Sequence, residues 1–328
     1  MGPLFVRYPQ VYFGENSPEF SIVGTKTIEL DRPQEGRSFA KHNFAGGTGV
    51  AIDGLFSRLL FAIRFWDIRL ALTTLLSDNS RVLYHRNVRE RVRRVAPFLE
   101  VDADPYPIAA DGRIKWVIDC YTASDMMPYS KRINLGDFSQ IFQDKQEDAG
   151  IIPSEFIRLL ERRTNRANYV RGSVKAVVDA YDGKVTLYIT DETDRVLQTW
   201  RKAFPGLFHP VSEASPQIRA HFRYPQDLFK IQSVIWADYH MRASDAYYTR
   251  EGAWRIPQDA DFISLRRERA RAEHEQRNPD LRPYWLRTRF PGLSMPEFAI
   301  VQPFSPENRN VLSGYLVGGS DNDRLGKL

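Results

Sequence analysis

A single cysteine, Cys120, in 328 residues excludes any disulfide within the chain and any cysteine-rich zinc site. It is compatible with an oxidising or a reducing compartment. Histidine is scarce too. His42, His85, His209, His221, His240 and His274 include no i, i+4 pair of the kind that builds a metalloprotease helix. His221 and His240 flank one helical segment and read as structural. No Gly-x-Ser-x-Gly nucleophile motif occurs, and "FAGGTGV" (44–50) lacks the Gly-Lys-Ser/Thr of a phosphate loop, so its glycines read as a tight turn. Long apolar runs are missing as well. The most hydrophobic stretch, 55–76, is interrupted by Arg58, Arg64, Asp67 and Arg69, and the N-terminus has no apolar leader core. As it stands, the chain is expected to be soluble, without a membrane span or signal peptide.

What is present is the composition of a folded protein, 42% hydrophobic and 27% charged. The net charge of +5 comes mostly from arginine, clustered in 80–94 and 264–277. The second cluster is interleaved with glutamates, and both read as solvated helix faces. A basic nucleic-acid-binding domain would need the arginines of 81–94 in one exposed stripe, so a nucleic-acid partner is not favoured.

Helical and strand patterns are mixed without a regular β-α-β alternation, which predicts an α+β fold. The spacing of Leu55, Leu59, Ile63, Trp66, Leu70 and Leu75 predicts one helix over 53–76, apolar around most of its circumference and therefore buried. A second helix, capped by Asp78 or Ser80, should run to Pro97 with Val82, Leu83, Val88, Val92 and Val95 as its stripe. Further helices are expected at 154–163, 192–203, about 216–222 and 225–240, the last with Pro225 at its first position. A main domain would cover 1–258, a charged helix or linker 259–280, and a strand pair with a truncated tail 281–328.

Two Asp-Gly dipeptides stand between alternating apolar runs, the strongest short hairpin signal, because a type I′ turn needs positive φ twice. With Asp182-Gly183 as a two-residue loop, Ala180 faces Val185, Val178 faces Leu187, Ala176 faces Ile189 and Asp179 faces Thr186. In "DADPYPIAADGRIKWVIDCYTAS" (102–124), Asp111-Gly112 pairs Ala110 with Arg113 and Tyr106 with Val117. Carried further, that register sets Asp104 against Asp119. Like charges directly opposite repel, and Pro105 and Pro107 favour an end to the pairing before that point. The other reading is a carboxylate cluster of Asp102, Asp104 and Asp119 that holds arginine or a hard cation, Ca²⁺ or Mg²⁺. Acid/base chemistry by the same group defines a hydrolase as the rival function. Cys120 shares an apolar face with Ile114, Trp116 and Ile118 and reads as core.

The runs "VYFGE", "GGTGVAI", "SRVLYHRNVRERVRRVAPFLEVDADPYPIAADGRIKWVIDCYTAS", "NYVRGSVKAVVDAYDGKVTLYITDETD", "HFRYPQDLFKIQ" and "EFAIVQPFSPENRN" resemble, in order and over nearly the whole chain, the bacterial uncharacterised protein family 0182. The resemblance implies a large membrane protein with N-terminal transmembrane helices and an extracytoplasmic region, of which this chain is a part. It begins near "VYFGE", without the membrane helices, and stops at "DRLGKL", where family members continue. The resemblance carries over no catalytic residue and no cofactor. It implies a binding or assembly module at the extracytoplasmic face of the cell membrane, with a membrane-embedded or envelope protein as partner, and leaves any small-molecule ligand open.

Overall fold

The computed structural model of the chain describes residues 6–33, 39–52, 54–130, 132–134, 166–250, 252–258, 281–307, 309, 311–321 and 324–328. The helix expected at 154–163 and the charged segment at 259–280 lie outside these residues. The N-terminal part forms two small antiparallel sheets. β1 (Phe20–Val23) and β4 (Val50–Ala51) flank β5 (Arg81–Tyr84), and β2 (Glu29–Pro33) pairs with β3 (Phe39–His42).

Between β4 and β5 the single buried helix expected over 53–76 is instead two short, exposed ones, α1 (Leu55–Arg64) and α2 (Arg69–Leu72). Trp66, at φ +53°, breaks the helical path. Phe61 and Phe65 turn inward on a small core of Ile52, Leu76 and Val82. That core is too small to cover the rest, so Leu55 is 80% and Trp66 94% exposed. The helix expected from 80 to 97 is also divided. Val82 and Leu83 are both buried, which suits a strand covered on two faces, and β5 supplies it. His85, at φ +51°, turns the chain. Asn87 then caps α3 (Val88–Val95) by accepting from the backbone N–H of Arg89 and Glu90.

The centre is a six-stranded sheet made of β6 (Glu100–Val101), β7 (Tyr106–Ala110), β8 (Arg113–Ser124), β11 (Tyr169–Asp179), β12 (Val185–Ile189) and β13 (Phe208–Pro210). β6 and β7 share one edge of β8, and the order runs from there through β11 and β12 to β13, which pairs with β12 in parallel. β9 (Ile133–Asn134) and β10 (Arg166–Ala167) pair separately. One face of the sheet packs Ile118, Cys120, Ala176 and Val178 under α3 and α4 (Arg195–Ala203). The other packs Val117, Val177 and Tyr106 against Phe222 and Ile218 of α5 (Pro216–Arg219). Two covered faces explain why β8 and β11 read as nearly continuous apolar runs.

α6 (Gln226–Tyr239) follows, with Pro225 as its cap residue rather than its first helical one, then α7 (Ser244–Thr249). The last sheet centres on β16 (Glu297–Pro306), which pairs with β14 (Trp254–Arg255), β15 (Tyr284–Thr288) and β17 (Gly314–Gly319). The strand pair expected from "PYWLRTRF" and "EFAIVQPF" is therefore β15 and β16. The chain is α+β.

The two Asp-Gly hairpins behave differently. Asp111 (φ +54°) and Gly112 (φ +74°) form the expected two-residue loop, and β7 pairs with β8 in the expected register. At Asp182-Gly183 only Gly183 is left-handed, at φ +71°. The loop is four residues, Ala180 to Gly183, and the ladder shifts by two: Val178 faces Val185 and Ala176 faces Leu187. Asp179 stands at the loop base, where its carboxylate accepts from the N–H of Tyr181 and Asp182. An even shift keeps every side chain on its expected face.

Candidate functional site

The pairing of β7 with β8 ends at Tyr106, so Asp104 does not meet Asp119. After the excursion at 103–105, β6 takes over the same edge, and the Asp102 N–H donates to the Asp119 carbonyl at 2.9 Å. The structure thus brings Asp102, not Asp104, opposite Asp119. Both are buried, at 1% and 5% exposure, while Asp104 is exposed.

Buried carboxylates need partners, since an isolated one is far too costly. Asp119 has Lys175, its cross-strand neighbour on β11, whose ammonium also donates to the Arg223 carbonyl at 2.8 Å. Asp102 accepts from the Tyr121 hydroxyl, from the Asp104 N–H at 2.8 Å and from the Asp227 N–H at 3.1 Å. Asp227 answers by accepting from the Ala103 N–H at 2.9 Å and pairing with Lys230 at 2.8 Å. This reciprocal clasp satisfies the free N–H of Asp227 in the first turn of α6 and fixes that helix to the sheet edge. Arg223 lies over Tyr106 at 4.3 Å and near Trp285 and Phe298 of the last sheet, an aromatic box for its charge.

The electrostatics follow from burial. Desolvation, reinforced by Asp227 and Asp119, pushes the Asp102 carboxyl up to about 7 against the pull of the Tyr121 hydrogen bond. Burial raises Asp119 too, with Lys175 pulling the other way. Across the sheet Asp194, the N-cap of α4, shows the opposite outcome. Burial raises it, yet hydrogen bonds from Ser173, Thr122, Tyr169 and the Val196 N–H win and hold it below the usual carboxylate range.

A cavity of about 380 Å³ opens beside the cluster, lined by Lys175, Arg223, Arg171 and Asp191 among others, but not by the three candidate aspartates. Among the described residues no three His, Cys, Asp or Glu side chains are grouped as a metal site. The cations that face these acids are the Lys175 and Lys230 ammoniums, with the guanidiniums of Arg223 and Arg89 close enough to act on Asp104 and that of Arg223 on Asp119. Sequence reading missed Lys175, Asp227, Lys230 and Tyr121. The legible signal was a lone lysine in "VKAVV" (174–178) and a lone aspartate in "WVIDCY" (116–121), each in an apolar run that must pair with something.

The arginines of 81–94 mostly point inward. Arg81 donates to the Gly47 and Gly49 carbonyls, Arg86 to Tyr12, Arg89 to Asp102 and Arg91 to Gly183. His221 donates to Gln217, and His240 stacks on Trp254 at 3.9 Å.

The apolar surface is elsewhere. Leu55, Phe56, Leu59, Leu60, Ile63 and Trp66 are each about half or more exposed on α1 and its end, and Ile68, Leu72 and Leu75 continue the patch. Arg58, Arg64 and Arg69 lie among them. No described helix is long and apolar enough to cross a membrane.

Fold and site together define an α+β protein whose buried charges are neutralised from within and whose α1 and α2 expose apolar side chains. The chain belongs to the uncharacterised protein family UPF0182, whose model matches residues 2–328. It is 38% identical to a UPF0182 protein of Clavibacter michiganensis over 96% of this chain and 31% of that protein. It is 38% identical to one of Frankia alni over 100% of this chain and 30% of the other. A UPF0182 protein of Pelotomaculum thermopropionicum is 35% identical over 99% and 31%. The chain thus spans less than a third of the length of these relatives. No solved structure matches it.

Proposed function

We propose that this chain is a binding or assembly module, of extracytoplasmic type, within a larger membrane-associated protein, and that it acts by docking rather than by chemistry. The observation that carries this reading is the exposed apolar surface of α1 and α2. Contiguous exposed apolar patches of this kind mark interaction sites in folded proteins. Its occupant is an apolar, membrane-embedded protein segment. In both the Clavibacter and the Frankia relative more than two thirds of the protein lies outside the region this chain matches, which leaves ample chain to supply it. The buried acids support the same reading. They are paired by lysines and main-chain donors, and Asp102, whose carboxyl burial pushes up to about 7, is sealed from solvent, where a hydrolytic acid must reach its substrate.

Photo-crosslinking from position 66, with benzoylphenylalanine in place of Trp66 in the full-length protein in cells, tests this directly. The expected product is an adduct whose peptide maps to a hydrophobic membrane segment. A lipid adduct alone would replace that occupant with the bilayer. No adduct from position 66, with a control position on the central sheet equally silent, would contradict docking through this surface.

A further inference from the structure

A second cavity, of about 520 Å³, lies on the α3 side of the central sheet, away from the aspartates. Its floor is apolar, formed by Phe13, Leu83, Val95 and Val185. Its rim carries Arg91, Arg94 and Lys184, and no carboxylate lines it. Two left-handed glycines shape the wall. A Cβ on Gly183 would stand 2.7 Å from the Phe13 ring, and one on Gly49 would stand 2.8 Å from Leu83. Only bare backbone allows both loops to close on that floor.

The cations are not all neutralised. Arg94 pairs with Glu90 at 2.9 Å, and Glu90 also meets His85 at 2.9 Å, so one carboxylate serves both. Arg91 is held by the carbonyls of Gly183, Tyr84 and His85 with its guanidinium 4.5 Å over Phe13. Asp182, the carboxylate whose charge acts on Arg91, is itself engaged by Arg113 at 2.9 Å. Lys184 is exposed and enters no ion pair among the described residues. The Thr48 hydroxyl, also on the lining, is buried with no hydrogen-bond partner there. Two uncompensated cations and a free hydroxyl exceed what a carboxylate's single charge and two oxygens require. A phosphate monoester, with charge near −2 and three acceptor oxygens, matches them.

We propose that this cavity binds a phosphate monoester carried on an apolar stem, the phosphate between Arg91, Arg94 and Lys184 and the stem on the Phe13–Leu83 floor. The site is independent of the α1–α2 surface, and either reading can fail without the other. Such a ligand can be a free metabolite or the head of a membrane lipid, which share this chemistry.

Calorimetric titration of the whole chain with n-hexyl phosphate, inorganic phosphate and hexanol tests it. Hexyl phosphate is expected to bind about tenfold or more tightly than either fragment, and more weakly as salt rises. Lys184→Ala should weaken it about tenfold, and Val95→Trp, which fills the floor from a half-exposed position, should abolish it with an unchanged melting curve. Flotation with vesicles containing phosphatidate is the second arm. Capture that Lys184→Ala and Val95→Trp both remove, stronger than the soluble response, assigns the source to a bilayer, and a soluble response alone assigns it to a metabolite. Hexyl phosphate binding that neither variant changes, hexanol binding equally well, or no response in either arm would overturn the proposal.

Discussion

The central sheet and the α1–α2 arm invert the usual distribution of side chains. In the sheet, Asp102, Asp119, Lys175 and Asp194 are buried, each with partners. On the arm, leucines, isoleucines and a tryptophan face solvent. Charge burial costs free energy unless every lone pair and proton is met, and the sheet meets them with a lysine, hydroxyls and main-chain donors. Nothing in the described residues covers the arm. The difference teaches that the sheet meets its own needs, and on the proposed reading the arm docks on something outside this region.

The largest effect should come from breaking the sheet's compensation. Lys175→Met leaves Asp119 buried without its cation and should cost about 3–5 kcal/mol in urea unfolding. Adding Asp119→Leu should restore most of that loss, since an apolar pair replaces a buried ion pair at little cost. A single variant as stable as the parent would remove the lysine from the account.

Gly183→Val should come next, at roughly 3 kcal/mol, because it combines a strained left-handed backbone with a clash against Phe13. Asp179→Asn should cost less, since an amide oxygen still accepts from Tyr181 and Asp182. Equal losses in the same melt would mean the turn is held by Asp179 rather than by the Phe13 contact.

The pH dependence sharpens the comparison further. Asp102 has its folded pKa raised from the ordinary 3.8 to about 7, so folding takes up a proton between those values. Its contribution is therefore present in full below about pH 4 and is lost as pH rises through about 7. Asp119, also raised, adds in the same direction. Thermal unfolding across pH 5 to 8 should show the midpoint falling, and Asp102→Asn should flatten that slope. Parallel slopes in parent and variant would return Asp102 to an ordinary ionised state.

Smallest of all should be the effect of Ca²⁺ or Mg²⁺ on the melting midpoint, because lysine ammoniums already face these acids. A midpoint raised by the cation in the parent but not in Asp104→Asn would instead make the cluster a cation site.

How much of this was legible in the sequence varies with how local its cause is. Asp111-Gly112 was read in register because both residues take the left-handed conformation that the dipeptide favours. Asp182-Gly183, the same dipeptide, was misread by two residues. There Asp179 holds the loop open from its base and Phe13, some 170 residues upstream, packs under Gly183, and neither is a property of the dipeptide. The periodicity of 55–76 was read correctly as helical and wrongly as buried. Hydrophobic spacing states which face is apolar but not what covers it. The sequence sets Asp104 against Asp119 and offers Asp102, Asp104 and Asp119 as a cluster for arginine or a hard cation, whereas Asp102 is the one that meets Asp119. The register joining β8 to β11, which delivers Lys175, depends on a pairing across some 50 residues that no short-range signal encodes.

The most direct test of the central claim is one pair of measurements on Leu60→Glu combined with Trp66→Glu. The account predicts an unfolding free energy within about 0.5 kcal/mol of the parent for this chain, because both positions are exposed. It predicts, for the full-length protein, loss of the crosslink between the arm and its membrane segment, read from a neighbouring position such as Leu72. A chain that unfolds when α1 and α2 carry these charges, or a full-length protein whose crosslink survives them, would contradict it.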